Sequence, residues 1–248
     1  MTTVLVTGAT GTVGRHIVDA LGARGCVVRA MSRHAGDAQG DVLNVADVER
    51  AVAGVDAVVH GAINYKKWRR TEIEGTRNVA TAAARAGAHF VYISIVGIDG
   101  HRYPYYKAKV EAERILESTA DLQWTIQRAT QFHELLDLWL SKPVFATTSN
   151  LAFRPVDPRD VATRLADVAT GKAVGRAADF AGPETVSMTE LCDVRRQIVG
   201  QAARLIRLPR IGMFRDFDNG AHLGASTGPG KVTWREWLAQ HRVPPNTR

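Results

Sequence analysis

The chain reads as an α/β protein, a doubly wound parallel sheet of the Rossmann type. Three observations lead there. Short β-branched runs alternate with helical stretches from the N-terminus onward. A glycine-rich turn follows the first of these runs immediately. Hydrophobic residues make up 45% and charged residues 23%, which is ordinary globular composition and excludes a disordered or collagen-like chain.

Val4-Leu5-Val6 is a buried-strand signal that ends in Thr7-Gly8. From Thr12 to Arg24 the apolar residues Val13, Ile17, Val18, Ala20 and Leu21 recur at helical spacing. Cys26 to Met31 is a second strand, and the turn-rich stretch from Ser32 to Gly40 closes it. Val45 to Ala53 is helical, and Asp56 to His60 is a strand. The stretch from Thr71 to Ala86 is alanine-rich and helical, stopped by Gly87. His89 to Ile95 is a strand, and Leu122 to Gln127 is another. Between them Pro104 to Glu117 is a helix with proline at its favoured first position. Strands alternating with helices at this spacing give a parallel sheet covered on both faces by right-handed crossovers.

After about residue 130 the alternation loosens, because Pro143, Pro155, Pro158, Pro183 and Pro209 cut the chain into short pieces. Asp160 to Thr170 and Thr189 to Val199 remain helical in pattern. The expectation is a core at 1–130 and a smaller C-terminal substrate-binding region at 131–248, integrated with that core. No apolar run approaches the ~18 residues of a membrane helix. No signal peptide is expected, since a structural motif begins at Thr7. The two cysteines, Cys26 and Cys192, make no metal-ligand spacing, so no metal is expected, and a reduced cytoplasm fits them. Lys plus Arg is 32 against 25 for Asp plus Glu, a net +7. Arginine is spread along the chain, and the densest basic run, Tyr65 to Arg70, is too short for a nucleic-acid tail.

Chemistry concentrates at two places. The first is Gly8-Ala9-Thr10-Gly11-Thr12-Val13-Gly14, between a strand and a helix. Glycine there permits a tight turn and close approach of backbone to a pyrophosphate, whose charge faces the helix N-terminus. Gly11 stands out as the most damaging of the three to enlarge. At the end of the second strand an NAD enzyme carries an acidic residue for the ribose hydroxyls. This chain has Ser32-Arg33 instead, suited to a 2′-phosphate through charge-assisted hydrogen bonds. The cofactor expected is therefore NADP(H), with Asp41 and Val42 near the adenine; an aspartate opening a helix reads the same way.

The second place is Tyr103-Pro104-Tyr105-Tyr106-Lys107-Ala108-Lys109, which holds two tyrosine–lysine registers four residues apart. Lys107, Glu111 and Arg114 share the wet face of the helix, whereas Tyr105, Ala108, Ala112 and Ile115 share an apolar one that Lys109 borders. That periodicity favours Tyr105 with Lys109. A nearby ammonium lowers a phenol's pKa, and the phenol then exchanges a proton with a substrate oxygen near neutral pH. Ser94, near the end of the preceding strand, is placed to hold the same oxygen.

With those residues the chain resembles the short-chain dehydrogenases/reductases, and within them the atypical, NmrA-like NAD(P)H-binding group. Val58-Val59-His60-Gly61-Ala62, Glu74-Gly75-Thr76-Arg77-Asn78 and the stretch from Arg154 to Ala162 also resemble that family. The resemblance implies catalytic roles for Ser94, Tyr105 and Lys109, with Lys109 also on the nicotinamide ribose. It implies cofactor contacts at Gly61, Ala62 and Ala129, the last in the loop beside the nicotinamide. One departure stands out. Glu72 occupies the place where extended family members carry an asparagine that orders a proton-relay water. The function implied is NADPH-dependent reduction of a small carbonyl or quinone-like compound. The alternatives are a catalytically silent NADP(H) sensor, which would bind a regulatory protein, and an NAD(P)-dependent epimerase or dehydratase. Tyr65, Trp68, Phe132, His133, Trp139, Met213, Phe214 and Phe217 lie where a pocket is expected and favour an apolar or aromatic substrate. The oligomeric state is not legible.

Overall fold

The computed structural model describes residues 1–148, 150–209, 211–224 and 229–241. The chain divides into two compact units, Met1–Arg128 with Pro158–Ala178, and Ala129–Asp157 with Asp179–Arg248.

In the first unit the elements follow the expected alternation. They are β1 (Thr3–Thr7), α1 (Gly14–Gly22), β2 (Val27–Ser32), β3 (Ala38–Gln39), α2 (Val45–Val52), β4 (Ala57–His60) and α3 (Trp68–Arg70). A π-helical turn at Thr71–Gly75 leads into α4 (Thr76–Ala86), and then come β5 (His89–Ile95), α5 (Pro104–Ser118) and β6 (Trp124–Ala129). The sheet runs β3-β2-β1-β4-β5-β6-β9, its last strand supplied by Gly175–Arg176. Thr7 pairs in register with both Met31 and His60, so three strands end side by side. Chain order reverses between β1 and β4, and in such sheets ligands bind beyond the strand ends at that point.

The strands read as continuous apolar runs because both faces are covered. Val4, Leu5 and Val6 are fully buried, as are Val58 and Val59. One core layer joins Leu5, Val58, Phe90 and Tyr92 to Val48, Val52, Val79, Ala83 and Leu116 from α2, α4 and α5.

The stretch Thr71–Ala86 is helical and ends at Gly87, as expected, with its first turn π-helical. Such turns collect at functional sites, and this one buries Glu72. One expectation is corrected here: the region after residue 130 is not one block. α7 (Pro158–Ala169) packs on α1, and β9 adds to the sheet. The prolines that obscured the alternation cut the second unit in two rather than ending the first.

The second unit contains α6 (His133–Leu140), β7 (Val144–Thr147), β8 (Ala152–Phe153), β10 (Val186–Ser187), α8 (Met188–Val199), β11 (Arg204–Arg207), α9 (Met213–Asp218) and α10 (Trp234–Gln240). Its core gathers Leu136, Leu140, Phe153, Leu191, Trp234 and Trp237. A capping box, Thr233 with Glu236, starts α10. Trp139, stacked on Phe145, and Phe217, edge-on to Phe153, belong to this packing. His133 is fully buried, its ring centroid 5.8 and 5.5 Å from those of Trp234 and Trp237, which stack on each other. The side chains of Met213 and Phe214 lie outside the described residues. No helix among the described residues is long and apolar enough to cross a membrane.

Candidate active site

The glycine turn lies where β1 leaves the sheet. Gly8 has φ +71°, and its N–H donates to the Met31 carbonyl at 3.0 Å, which ties the turn to β2. A Cβ on Gly8 would lie 2.7 Å from the Gly61 carbonyl oxygen and 2.8 Å from Ala62 Cα, so β4's end passes directly against the turn. A Cβ on Gly14 would lie 2.0 Å from the Gly8 oxygen. Gly11 differs: it is exposed, as are Thr10 and Thr12, and its Cβ would meet only the Gly8 oxygen, at 3.1 Å. Val13 is buried and precedes α1 without capping it through a side chain. The first-turn N–H groups and the helix dipole then suit an anion, and this cradle fits a dinucleotide pyrophosphate.

The three glycines therefore sit differently: backbone stands where a methyl on Gly8 or Gly14 would go, while Gly11 is exposed. Gly14→Ala is expected to lose the native circular-dichroism melt, because backbone stands where the methyl must go. Gly11→Val is expected to keep a cooperative melt and to lose NAD(P)H binding in calorimetry.

At the end of β2, Arg33 is exposed, and its guanidinium has no ion pair among the described residues. Ser32 is partly engaged, since its hydroxyl donates to the Ala35 carbonyl and accepts from the Ala35 N–H at 3.0 Å. Asp41 turns its carboxylate onto its own loop and accepts from the Leu43 N–H at 3.0 Å. Val42 is buried, packs against Gly75, and gives its carbonyl to the Asn78 side chain at 3.0 Å.

β4 ends in a histidine that sequence reasoning passed over. His60 is 1% exposed and bridges two threonine hydroxyls, with Nδ1 2.7 Å from Thr7 Oγ1 and Nε2 3.2 Å from Thr76 Oγ1. Burial, with a smaller contribution from the Lys109 charge, pushes its pKa down to about 3, so the ring is neutral at physiological pH. It fastens β1, β4 and α4 immediately behind Gly61 and Ala62, both partly exposed. A histidine closing an otherwise apolar strand was the available signal.

α5 sorts its charged and aromatic residues as its periodicity requires. Lys107 is exposed and Lys109 buried, while Tyr103 precedes the helix as its N-cap. Lys109 Nζ donates to the Ile93 carbonyl at 3.0 Å and lies 4.5 Å from the centre of the Tyr92 ring. The same ammonium is 3.1 Å from Glu72 Oε2. Tyr105 donates its hydroxyl to Glu72 Oε1 at 3.0 Å, and Tyr92 donates to Glu72 Oε2 at 2.7 Å. Glu72 is thus the hub of the pair rather than a bystander. The expected lowering of the phenol's pKa by Lys109 does not occur: burial and then the Glu72 charge raise the Tyr105 pKa instead. Trp68 meets Tyr105 edge-on with centroids 5.8 Å apart.

Ser94 is 2% exposed. Burial alone would raise the Glu113 carboxyl, but the Arg128 and Arg176 guanidiniums hold it below the usual range. Arg128 donates to Glu113 Oε2 at 2.6 Å and also pairs with Asp99, which braces β6 against α5. Ala129, the next residue, is buried and bridges in parallel to Phe180 within the second unit.

With this geometry in place the comparisons with known proteins are specific. A sequence profile described as NAD(P)H-binding matches residues 8–170. A (4-alkanoyl-5-oxo-2,5-dihydrofuran-3-yl)methyl phosphate reductase of Streptomyces griseus is 28% identical over 224 residues, 83% of this chain and 77% of that protein. A ceramide reductase of Caulobacter vibrioides is 26% identical over 247 residues, 85% of this chain and 74% of the relative. Among solved structures, an NADPH-dependent quinone oxidoreductase of Escherichia coli complexed with NADPH superposes with a TM-score of 0.76 at 20% identity. The match covers 96% of this chain and 99% of that one. A nucleoside-diphosphate-sugar epimerase of Staphylococcus aureus superposes at 0.77 and 17% identity, over 96% and 100% of the two chains. The chain belongs to this NAD(P)H-binding family, and NAD(P)H is its cofactor.

Proposed function

We propose that the protein is an NADPH-dependent reductase of a small carbonyl or quinone-like compound. The observation that carries this reading is the placement of Tyr105 and Lys109 on one helix beside β5, in a unit whose glycine turn is built for a dinucleotide. The glycine turn and Lys109 would hold NADPH, which would supply hydride chemistry for a substrate carbonyl carbon. Tyr105 gives its hydroxyl proton to the substrate oxygen, which Ser94 orients, and the phenolate left beside Lys109 takes a proton back from solvent. Lys109 holds the nicotinamide ribose and the Tyr105 site together. Trp68 and Tyr103, with ring centroids 5.8 and 6.4 Å from Tyr105, give the phenol an aromatic surround, which suits an apolar or aromatic substrate. The second unit is the proposed substrate-binding region.

A silent NADP(H) sensor is favoured by one observation, the Glu72 carboxylate that occupies both Tyr105 and Lys109. Screening carbonyls and quinones for NADPH consumption separates the two. A reductase turns over at least one class, whereas a sensor binds NADP⁺ and NADPH unequally and consumes neither.

The cofactor preference rests on Arg33. NADPH is expected to bind more tightly than NADH by about 1 to 3 kcal/mol, the range for a charge-assisted contact. Arg33→Ala should remove most of that margin. Equal wild-type affinities in calorimetry would show that Arg33 does not read the 2′-phosphate.

A further inference from the structure

Glu72 uses both carboxylate oxygens inside the fold. Oε1 accepts from Tyr105, and Oε2 accepts from Tyr92 and pairs with Lys109. Its side chain is 2% exposed and that of Lys109 is 9% exposed, so water does little to screen the pair. The groups facing Tyr105 come from every neighbouring element: Glu72 from the π-helical turn, Tyr65 and Trp68 around α3, Tyr92 from β5, and Tyr103, Tyr106 and Lys109 on or before α5. Among these the carboxylate of Glu72 and the ammonium of Lys109 form an ion pair at 3.1 Å. In a tyrosine–lysine pair without such a carboxylate, the ammonium favours phenolate. Here the hydroxyl hydrogen is directed at an anion.

We infer that Glu72 is a positioning residue, which fixes the Tyr105 hydroxyl and the Lys109 ammonium on one buried carboxylate, keeps Tyr105 a neutral phenol and opposes the phenolate that proton donation leaves. Burial and the Glu72 charge both act against the phenolate, in agreement with this geometry. The first helical turn carries Glu72 inward, on the same face as the buried Thr76, Val79 and Ala83, while Glu74, two residues on, stays outside with Arg70. The use of the phenol in reduction rests on the function proposed above; its protonation state does not.

The test is an ultraviolet difference titration of tyrosinate on the full chain without cofactor, from about pH 8 to about pH 11, around the ordinary phenol range. The chain has five tyrosines, and Tyr65 and Tyr103 are exposed. Wild type and Tyr105→Phe should titrate alike over this range, because the phenol removed is silent there. An excess of one tyrosinate in wild type, with a midpoint at or below about 10, overturns the inference. Glu72→Gln keeps an acceptor for both phenols but removes the charge. It should bring in one phenol at least ~1 pH unit earlier, and that phenol should vanish in Glu72→Gln/Tyr105→Phe. Superimposable titrations of Glu72→Gln and wild type also overturn it. Should Glu72→Gln not fold, the first comparison decides alone. A chain that reduces nothing yet gives these titrations loses the reductase reading and keeps the role of Glu72; active reduction with an early-ionising Tyr105 does the reverse.

Discussion

Tyr105→Phe is expected to lower turnover about 100- to 10,000-fold, the range for loss of a general acid, with NADPH affinity nearly unchanged. The ring stays and keeps its edge contact with Trp68, so the packing loss is small. Glu72 retains Tyr92 and Lys109 as partners, so the variant leaves no buried carboxylate alone. The neighbouring residues supply the controls. Tyr103 is 39% exposed, and Lys107 is exposed on the outer face of α5. Tyr103→Phe and Lys107→Ala should therefore behave as wild type. Tyr106 is buried against His101, ring centroids 4.8 Å apart, and has Val110, not a lysine, four residues on. Steady-state kinetics of these variants, on whichever substrate the screen finds, check the assignment. Near-normal turnover in Tyr105→Phe would mean that solvent or another group protonates the product.

Much of this was legible because local chemistry and burial agree. A glycine turn between an apolar strand and an amphipathic helix has few other uses, and α5 announces its buried side through Tyr105, Ala108, Ala112 and Ile115. The duties of the glycines were not legible. That Gly14 packs on the Gly8 carbonyl and Gly11 faces outward depends on how tightly α1 closes on the turn. Glu72 was noticed as a departure from a family pattern, yet its partners come from β5 and α5, 20 to 37 residues on in the chain. A carboxylate in a helical stretch reads as solvated, although Glu72 lies at helical spacing from the buried Thr76, Val79 and Ala83. His60 escaped for the same reason, since its two threonines lie 53 residues before it and 16 after. In the later chain, strands of two residues, such as β8, β9 and β10, are too short to show periodicity.

Lys109→Met is expected to cost about 3 to 5 kcal/mol of stability, because it leaves Glu72 as a buried charge without its counter-ion. The two phenol hydroxyls still donate to the carboxylate, but neither carries charge. Methionine keeps the length and apolar body of the lysine stem, so packing is not the cause of the loss. For a chain of this size the cost corresponds to a melting temperature lower by roughly 6 to 20 °C. The double variant Lys109→Met/Glu72→Gln removes the stranded charge and keeps an acceptor for both tyrosines. It should recover to within about 1 to 2 kcal/mol of wild type, since a buried ion pair often contributes little net stability over neutral partners. Urea unfolding of wild type, both single variants and the double variant gives the coupling energy directly. A Lys109→Met protein as stable as wild type would mean that water reaches Glu72. The buried hub would then be open, and the loss of cofactor affinity expected of the same variant would report on the ribose contact alone. If the variant is destabilised as expected, its NADPH affinity must be measured well below its melting temperature, where the ribose contact and the fold are separable.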